Sequence, residues 1–174
     1  TPTPKISGKT AVGNTLTAVP GTWGPGKVSL AYQWSRDGKE IDKATAATYT
    51  LGVADLDATV TVAVTGTRLG YNPVTKTSAR TEAIGKGTLA AKGVTITGSR
   101  KVGKTLTAVP GTWSPSGVTF TYQWYRGSTK IDGATKSTYK LASVNKGKLV
   151  SVRVTGALEG YETLGKQSAK VRIS

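Results

Sequence analysis

Hydrophobic and polar residues alternate with a period of two along several short stretches of this chain. Three of these stretches carry an aromatic or aliphatic residue at every second position: Leu30, Tyr32 and Trp34; Val60, Val62 and Val64; and Phe120, Tyr122 and Trp124. A period of two places such residues on one face of a β-strand. Because no segment shows helical periodicity, the pattern predicts an all-β protein.

Glycine and proline interrupt these strand-like stretches at short intervals. Asp37-Gly38 separates two of the stretches and is typical of a two-residue hairpin turn, because both residues tolerate a positive φ. The spacing predicts about five to eight short strands in each half of the chain, with turns roughly every 8–12 residues. Short strands with frequent turns favour an antiparallel β-sandwich.

The chain contains one unit twice. The segment Val12–Trp23, VGNTLTAVPGTW, returns as VGKTLTAVPGTW at Val102–Trp113, an offset of 90 residues. The same offset aligns residues 5–84 with residues 95–174 without a gap, and roughly 36 of the 80 aligned positions are identical. Internal repeats of this kind indicate repeated structural units. We therefore predict two domains, residues 1–85 and residues 94–174, connected by a linker at residues 86–93.

The segments YQWSRDGKEI and YQWYRGSTKI resemble the C strand and following turn of immunoglobulin-fold domains, whose buried Trp corresponds to Trp34 and Trp124. The usual Tyr and Cys of the F strand are absent. The whole unit resembles the Cys-free, actinobacterial-type immunoglobulin-like repeats of secreted and cell-wall proteins, which are often attached to hydrolases. This resemblance implies two tandem immunoglobulin-like antiparallel β-sandwiches and a secreted or cell-surface location. It implies no catalytic residue.

The composition excludes several kinds of chemistry. The chain has no Cys and no His, so it lacks thiol nucleophiles, imidazole bases and the commonest zinc ligands. Hydrolysis of sugars needs two carboxylates that face one bond, and the two copies share only one each, Asp42 and Asp132. We predict a protein that is not an enzyme and has no cofactor.

Two further features have alternative interpretations. Asp55 and Asp57 are spaced like calcium ligands, but the second copy has Asn145 and Gly147 there, so we interpret them as turn residues and predict no metal site. Trp23 and its counterpart follow Pro-Gly-Thr. The two tryptophans, Trp23 and Trp113, either plug one end of each sandwich or offer a platform for a sugar ring.

Positive charge is concentrated in the second copy. The chain has 24 Lys and Arg against 9 Asp and Glu, a formal charge of +15. Residues 1–87 hold 10 basic and 6 acidic side chains, whereas residues 88–174 hold 14 and 3. In an immunoglobulin sandwich the C, F and G strands are neighbours. Alternation then places four side chains of the second copy on one exposed face: Tyr125, Arg153, Lys170 and Arg172.

These features leave two functional hypotheses open. The first is a non-catalytic extracellular accessory module that spaces, displays or anchors a partner domain at the cell envelope. The alternative is a module that binds polysaccharide or another polyanion through the basic face, which otherwise only keeps the protein soluble. We expect neither membrane nor nucleic acid as a partner. The opening Thr1-Pro2-Thr3-Pro4 is typical of a linker, so we expect fusion to a further domain.

Overall fold

A computed structural model describes all 174 residues and consists of short strands, turns and two single-turn 3₁₀ helices. The chain divides into two compact units, unit 1 at residues 1–87 and unit 2 at residues 88–174. The all-β prediction is therefore confirmed. The 3₁₀ turns, Val53–Asp55 and Ser143–Asn145, occupy equivalent positions in the two units.

Unit 1 contains two antiparallel sheets. The first has the order β1-β2-β5 and consists of β1 (Lys5–Ser7), β2 (Thr15–Val19) and β5 (Thr48–Thr50). The second has the order β4-β3-β6-β7 and consists of β3 (Ser29–Arg36), β4 (Lys39–Glu40), β6 (Val60–Thr67) and β7 (Val74–Thr77). A parallel bridge between Ala11 and Gly85 joins the start of the unit to its last segment.

Unit 2 repeats this arrangement with additional strands. A two-stranded sheet pairs β8 (Ala90–Lys92) with β11 (Thr112–Ser114). One three-stranded sheet, in the order β14-β10-β9, consists of β9 (Thr95–Thr97), β10 (Thr105–Val109) and β14 (Thr138–Lys140). The five-stranded sheet consists of β12 (Thr119–Arg126), β13 (Thr129–Lys130), β15 (Leu149–Ala157), β16 (Leu164–Gln167) and β17 (Val171–Arg172). Residues 86–93, predicted as a linker, thus include the strand β8.

Both units are immunoglobulin-like β-sandwiches. In unit 1 one sheet contains β1, β2 and β5, and the other contains β4, β3, β6 and β7. In unit 2 the corresponding sheets contain β9, β10 and β14, and β13, β12, β15 and β16. The immunoglobulin fold distributes its strands between two sheets in this way. The central pairs β3–β6 and β12–β15 have the same register over eight residues each, with Trp34 opposite Val62 and Trp124 opposite Val152. The predicted fold class is confirmed by this topology.

Trp34 and Trp124 are at the centre of the two cores. Both are 0% exposed, and each indole N–H donates a hydrogen bond of 2.9 Å to a backbone carbonyl. The rings stack on the half-buried Tyr49 and Tyr139, with ring centroids 5.8 and 5.6 Å apart. Each tyrosine belongs to the sheet opposite its tryptophan, so these contacts hold the two sheets together.

The predicted hairpin at Asp37-Gly38 is confirmed. Asp37 has a φ of 46° and Gly38 a φ of 82°, so both central residues occupy the left-handed region that this turn requires. The Asp37 carboxylate accepts hydrogen bonds from the N–H and hydroxyl of Thr59, which hold the pKa of Asp37 below its ordinary value. In unit 2 the same connection uses Gly127 first, with a φ of 65°.

We expect Trp34→Ala and Trp124→Ala each to destabilise their own unit by about 3–5 kcal/mol, because each removes a fully buried aromatic side chain and leaves a cavity. Hydrogen exchange of the full chain, resolved by segment, measures the stability of each unit separately. Protection should fall in the substituted unit and be retained in the other. Unchanged protection in the substituted unit would contradict the central position of its tryptophan.

Candidate functional site

The outer face of the five-stranded sheet in unit 2 carries side chains predicted from the sequence. β12 pairs with β15 so that Gln123 lies opposite Arg153 and Tyr125 lies opposite Ser151. Residues directly opposite each other in an antiparallel pair point to the same side of the sheet. Because Trp124 points into the core, Tyr125 and Arg153 both point outward, as the alternation predicts.

Arg172 and Lys170 lie in the last segment of the chain, beside the same central strand. Arg172 pairs with Leu149 of β15, on the side of the sheet that Arg153 also occupies. Its guanidinium donates a hydrogen bond of 2.9 Å to the carbonyl oxygen of Gly147. Lys170 is exposed between β16 and β17. The four predicted residues therefore lie on this face or at its edge, and their role in binding stays a prediction.

Lys130 belongs to the same face, although the sequence pattern does not single it out. It pairs with Tyr125 across β12 and β13 and is exposed. β13 has only two residues, too few for an alternating pattern to be visible. The repeat carries a signal instead, because Lys130 takes the position of Glu40 in unit 1. We name five residues the basic sheet face: Tyr125, Lys130, Arg153, Lys170 and Arg172.

The guanidinium of Arg153 lies against the backbone of Gly165 on β16. A Cβ atom at Gly165 would lie 2.5 Å from Arg153 Nε, so any other residue there would require the Arg153 side chain to move. Unit 1 has Ala63 and Thr75 at these two positions, and Thr75 Oγ1 lies 2.8 Å from Thr65 Oγ1, a hydrogen-bond distance. The absence of a side chain at position 165 therefore makes room for the long side chain at position 153.

Side chains of this face form a packed layer over the central strand. Ser151 is only 1% exposed although it points outward. Gln167 Nε2 donates a hydrogen bond of 2.8 Å to Ser151 Oγ, which fixes the Gln167 side chain across β15. Arg153 has no hydrogen-bond or ion-pair partner within the protein, so its N–H donors are available to a ligand. Such donors suit carboxylate, sulfate or phosphate groups.

The matching face of unit 1 has a different charge. Its five equivalent residues are, in the same order, Ser35, Glu40, Ala63, Arg80 and Glu82. Two acids and one base give this face a formal charge of −1, whereas the basic sheet face has +4 and no carboxylate. The central strands have the same register in both units, so the differences at Ser35, Glu40 and Ala63 come from the side chains alone. In the last segment the register differs by one residue, because Ile84 of unit 1 makes the backbone hydrogen bonds that Ile173 makes in unit 2.

A second polar cluster lies at one end of the core of unit 1. It includes Asp55, which with Asp57 has the spacing of calcium ligands in the sequence. Asp55 is fully buried, and its carboxylate accepts hydrogen bonds from Arg36 Nε at 2.7 Å and from the Tyr49 hydroxyl at 3.0 Å. The backbone N–H of Gly52 donates to the same carboxylate at 2.7 Å. Asp55 is thus the acidic partner in an internal ion pair, and no group of three potential metal ligands occurs in the chain.

The Asp55 carboxylate shifts the pKa values of its two neighbours. The hydrogen bond between Arg36 and Asp55 raises the pKa of Arg36 above its ordinary value. Burial raises the pKa of Tyr49 above its ordinary value, and the hydrogen bond that its hydroxyl donates to Asp55 raises it further. Both pKa shifts favour the protonated group, because burial disfavours the tyrosinate form of Tyr49 and the Asp55 carboxylate attracts the proton of either neighbour.

Unit 2 contains the same cluster without the carboxylate. Asn145 takes the position of Asp55 and is also fully buried. Its Oδ1 accepts hydrogen bonds from the Tyr139 hydroxyl at 3.1 Å and from the Ala142 N–H at 2.8 Å. Its Nδ2 has no partner, and Arg126 forms no ion pair. The sequence shows the change from Asp to Asn but not the arginine that it leaves unpaired.

Trp113 packs against the sheet of unit 2 rather than standing free. Its ring contacts Phe120 edge-on, with centroids 5.3 Å apart, and lies so close to Gly156 that a Cβ there would be 2.5 Å away. Its indole N–H donates to the carbonyl oxygen of Pro110 at 2.8 Å. Trp23 makes the equivalent glycine and proline contacts in unit 1. These contacts favour the plug interpretation over the sugar platform.

Comparisons with known proteins find matches among solved structures but no family. No family model matches the chain, and no curated protein matches it. The solved structure of three N-terminal domains of the bacteriophage RB49 Highly Immunogenic Outer Capsid protein (Hoc) is 20% identical, with a TM-score of 0.45. The alignment covers 98% of the present chain but only 59% of the Hoc chain.

Two further solved structures are similar over nearly their whole lengths. Tandem Ig repeats of Dlar are 13% identical, with 100% of this chain and 96% of that chain covered and a TM-score of 0.33. Murine CEACAM1b is 12% identical, with 99% and 98% covered and a TM-score of 0.31. The immunoglobulin-like class of the present fold rests on its own sheet order and register.

We expect Asp55→Asn to destabilise unit 1 by about 1.5–3 kcal/mol, because it removes the charge-assisted hydrogen bond that Arg36 donates to the Asp55 carboxylate. Segment-resolved hydrogen exchange measures the loss. The reciprocal change, Asn145→Asp, should stabilise unit 2 by giving Arg126 a carboxylate. An Asp55→Asn variant with wild-type protection in unit 1 would show that the ion pair contributes nothing to stability.

Unit 1 should also lose stability at alkaline pH through Tyr49. The folded pKa of Tyr49 is raised above its unfolded value of about 10. Its contribution is therefore complete below about pH 10 and is lost as pH rises through the folded pKa. Urea unfolding between pH 8 and pH 12 should show a smaller alkaline loss for Tyr49→Phe than for the wild type. Equal losses would exclude Tyr49 as the source.

Proposed function

We propose that the chain is a non-catalytic extracellular module of a larger secreted or surface protein, and that unit 2 contacts an anionic polymer of the cell envelope through the basic sheet face. The observation that carries this proposal is the charge difference at three structurally equivalent positions. Ser35, Glu40 and Ala63 have a formal charge of −1, whereas Tyr125, Lys130 and Arg153 have +2. A general need for solubility would not require the second copy alone to have Lys130 and Arg153 where the first has Glu40 and Ala63.

The positions of the carboxylates support a non-catalytic role. Asp55, the one fully buried carboxylate, is occupied by Arg36 and Tyr49. Asp42, one of the two acids shared by the copies, is almost fully exposed and lies 3.7 Å from Lys43. Neither arrangement directs two carboxylates at a common bond, which acid–base hydrolysis of a glycoside requires.

The extracellular setting is proposed from the resemblance to secreted and cell-wall repeats. Neither 3₁₀ turn approaches the length and apolarity of a membrane-spanning helix. Envelope polymers carry phosphate, sulfate or carboxylate groups, for which Arg153 offers unpaired N–H donors. A protein with these cations spread over a sheet face would bind such a chain at several points with modest energy at each.

We expect Lys130→Ser with Arg153→Ser to weaken binding of the full chain to heparin. Neither side chain has a hydrogen-bond partner in the protein, so the fold should be retained. If both contact the polymer, the slope of log affinity against log salt should fall by about two. Salt-dependent binding to immobilised heparin measures this slope.

The matched control removes the same charge elsewhere in unit 2. Lys101→Ser with Lys104→Ser changes two exposed lysines away from the basic sheet face. This variant should keep the wild-type slope. If both pairs of substitutions lower the slope equally, or if DNA of equal charge density is retained as strongly as heparin, the face is only a solvated basic surface.

A further inference from the structure

Two cations of unit 2, Arg126 and Lys148, lie at one end of the core, at positions that the alternation assigns to the inner side of the five-stranded sheet. Arg126 is the last residue of β12 and pairs with Val150, whose side chain is fully buried. Lys148 precedes Val150 by two residues, and its carbonyl oxygen accepts a hydrogen bond from Ile173 at 3.0 Å. Lys148 lies one residue before β15, and continuing the ladder to it makes it diagonal to Arg126, a relation in which residues are about 7–8 Å apart.

Unit 1 is neutral at the same place. It has Arg36 and the buried carboxylate of Asp55, and Ala58 takes the position of Lys148. Unit 2 replaces the carboxylate by the amide of Asn145 and adds a lysine. The formal charge of the cluster therefore rises from zero to +2, while the local backbone is retained: both units have a 3₁₀ turn followed by a residue with φ of −54°.

The amide of Asn145 shows which group is missing. Its Oδ1 accepts hydrogen bonds from Tyr139 and Ala142, as one oxygen of Asp55 does from Tyr49 and Gly52. Its Nδ2 therefore takes the place of the second carboxylate oxygen, the one that Arg36 contacts at 2.7 Å in unit 1. In unit 2 this atom is a buried donor without an acceptor.

We propose that Arg126, Lys148 and Asn145 Nδ2 form a binding site for a small oxyanion, for which a carboxylate is the best match. All three groups are hydrogen-bond donors, two are cationic, and the acceptor that satisfies the equivalent arginine in unit 1 is itself a carboxylate. The site lies on the opposite side of the sheet from the basic sheet face, so it is independent of the proposed function.

An anion approaches this site from the surface. Lys148 is exposed and Arg126 is half-buried, whereas Asn145 is fully buried behind them. Long surface side chains change rotamer within nanoseconds, so the two cations can open around an arriving anion. Binding would pair both cations and the orphaned amide, and would stabilise unit 2 in the way that Asp55 stabilises unit 1.

The test is an NMR titration of the full, ¹⁵N-labelled chain with acetate at constant ionic strength. We expect a saturable shift of the Asn145 side-chain amide resonance. The chain has two other asparagines, Asn14 and Asn72, both in unit 1, and their side-chain amides should not respond. A linear shift, or equal shifts at all three asparagines, would overturn the proposal.

Two substitutions with a matched control complete the experiment. Lys148→Ala should weaken the acetate affinity by roughly tenfold, the effect of losing one charge-assisted hydrogen bond. Lys92→Ala removes an exposed lysine of β8, which belongs to a different sheet of unit 2, and should leave the affinity unchanged. In Asn145→Asp the new carboxylate should pair with Arg126, so the backbone amide of Lys148 should no longer respond to acetate. A full response in Asn145→Asp, or equal affinities in the two lysine variants, would refute the site.

Discussion

Burial of Trp124 between the two sheets determines which side chains of unit 2 reach solvent. The indole is completely enclosed and its N–H is bound to the Lys136 carbonyl oxygen, so β12 has one acceptable orientation. A slip of one residue would reverse every side chain on the strand and expose the tryptophan. The register of β12 with β15 then fixes the outward side chains of both strands, including Tyr125 and Arg153.

The alternation along these strands, together with the resemblance to immunoglobulin-like repeats, predicted the fold and four residues of the basic sheet face. Tyr125, Arg153 and Arg172 share a face because each lies one position from a buried residue. Lys130 could not be found in this way, since its strand is too short to show a period. The contact between Arg153 and Gly165 could not be predicted from the sequence either, because the two residues lie on different strands and Gly165 has no side chain to suggest a contact.

Long-range polar partners were equally inaccessible from the sequence. Asp55 resembles a surface turn residue until Arg36, 19 positions earlier, is placed beside it by the sheet. The repeat supplies the information that a single copy lacks. Unit 1 has the ion pair between Arg36 and Asp55, whereas unit 2 has Asn145 with an unpaired side-chain N–H. Comparison of the two units therefore shows the effect of replacing Asp by Asn on a similar backbone.

The coupled change at Arg153 and Gly165 also has a consequence for how the chain reaches its native state. Two neighbouring domains whose central strands have the same register risk exchanging strands with each other while they fold. If β7 were inserted beside β15 in place of β16, Thr75 would introduce a side chain where the Arg153 guanidinium lies. Such an exchange would force the Arg153 guanidinium away from the neighbouring strand, whereas pairing with β16 leaves it in place against Gly165.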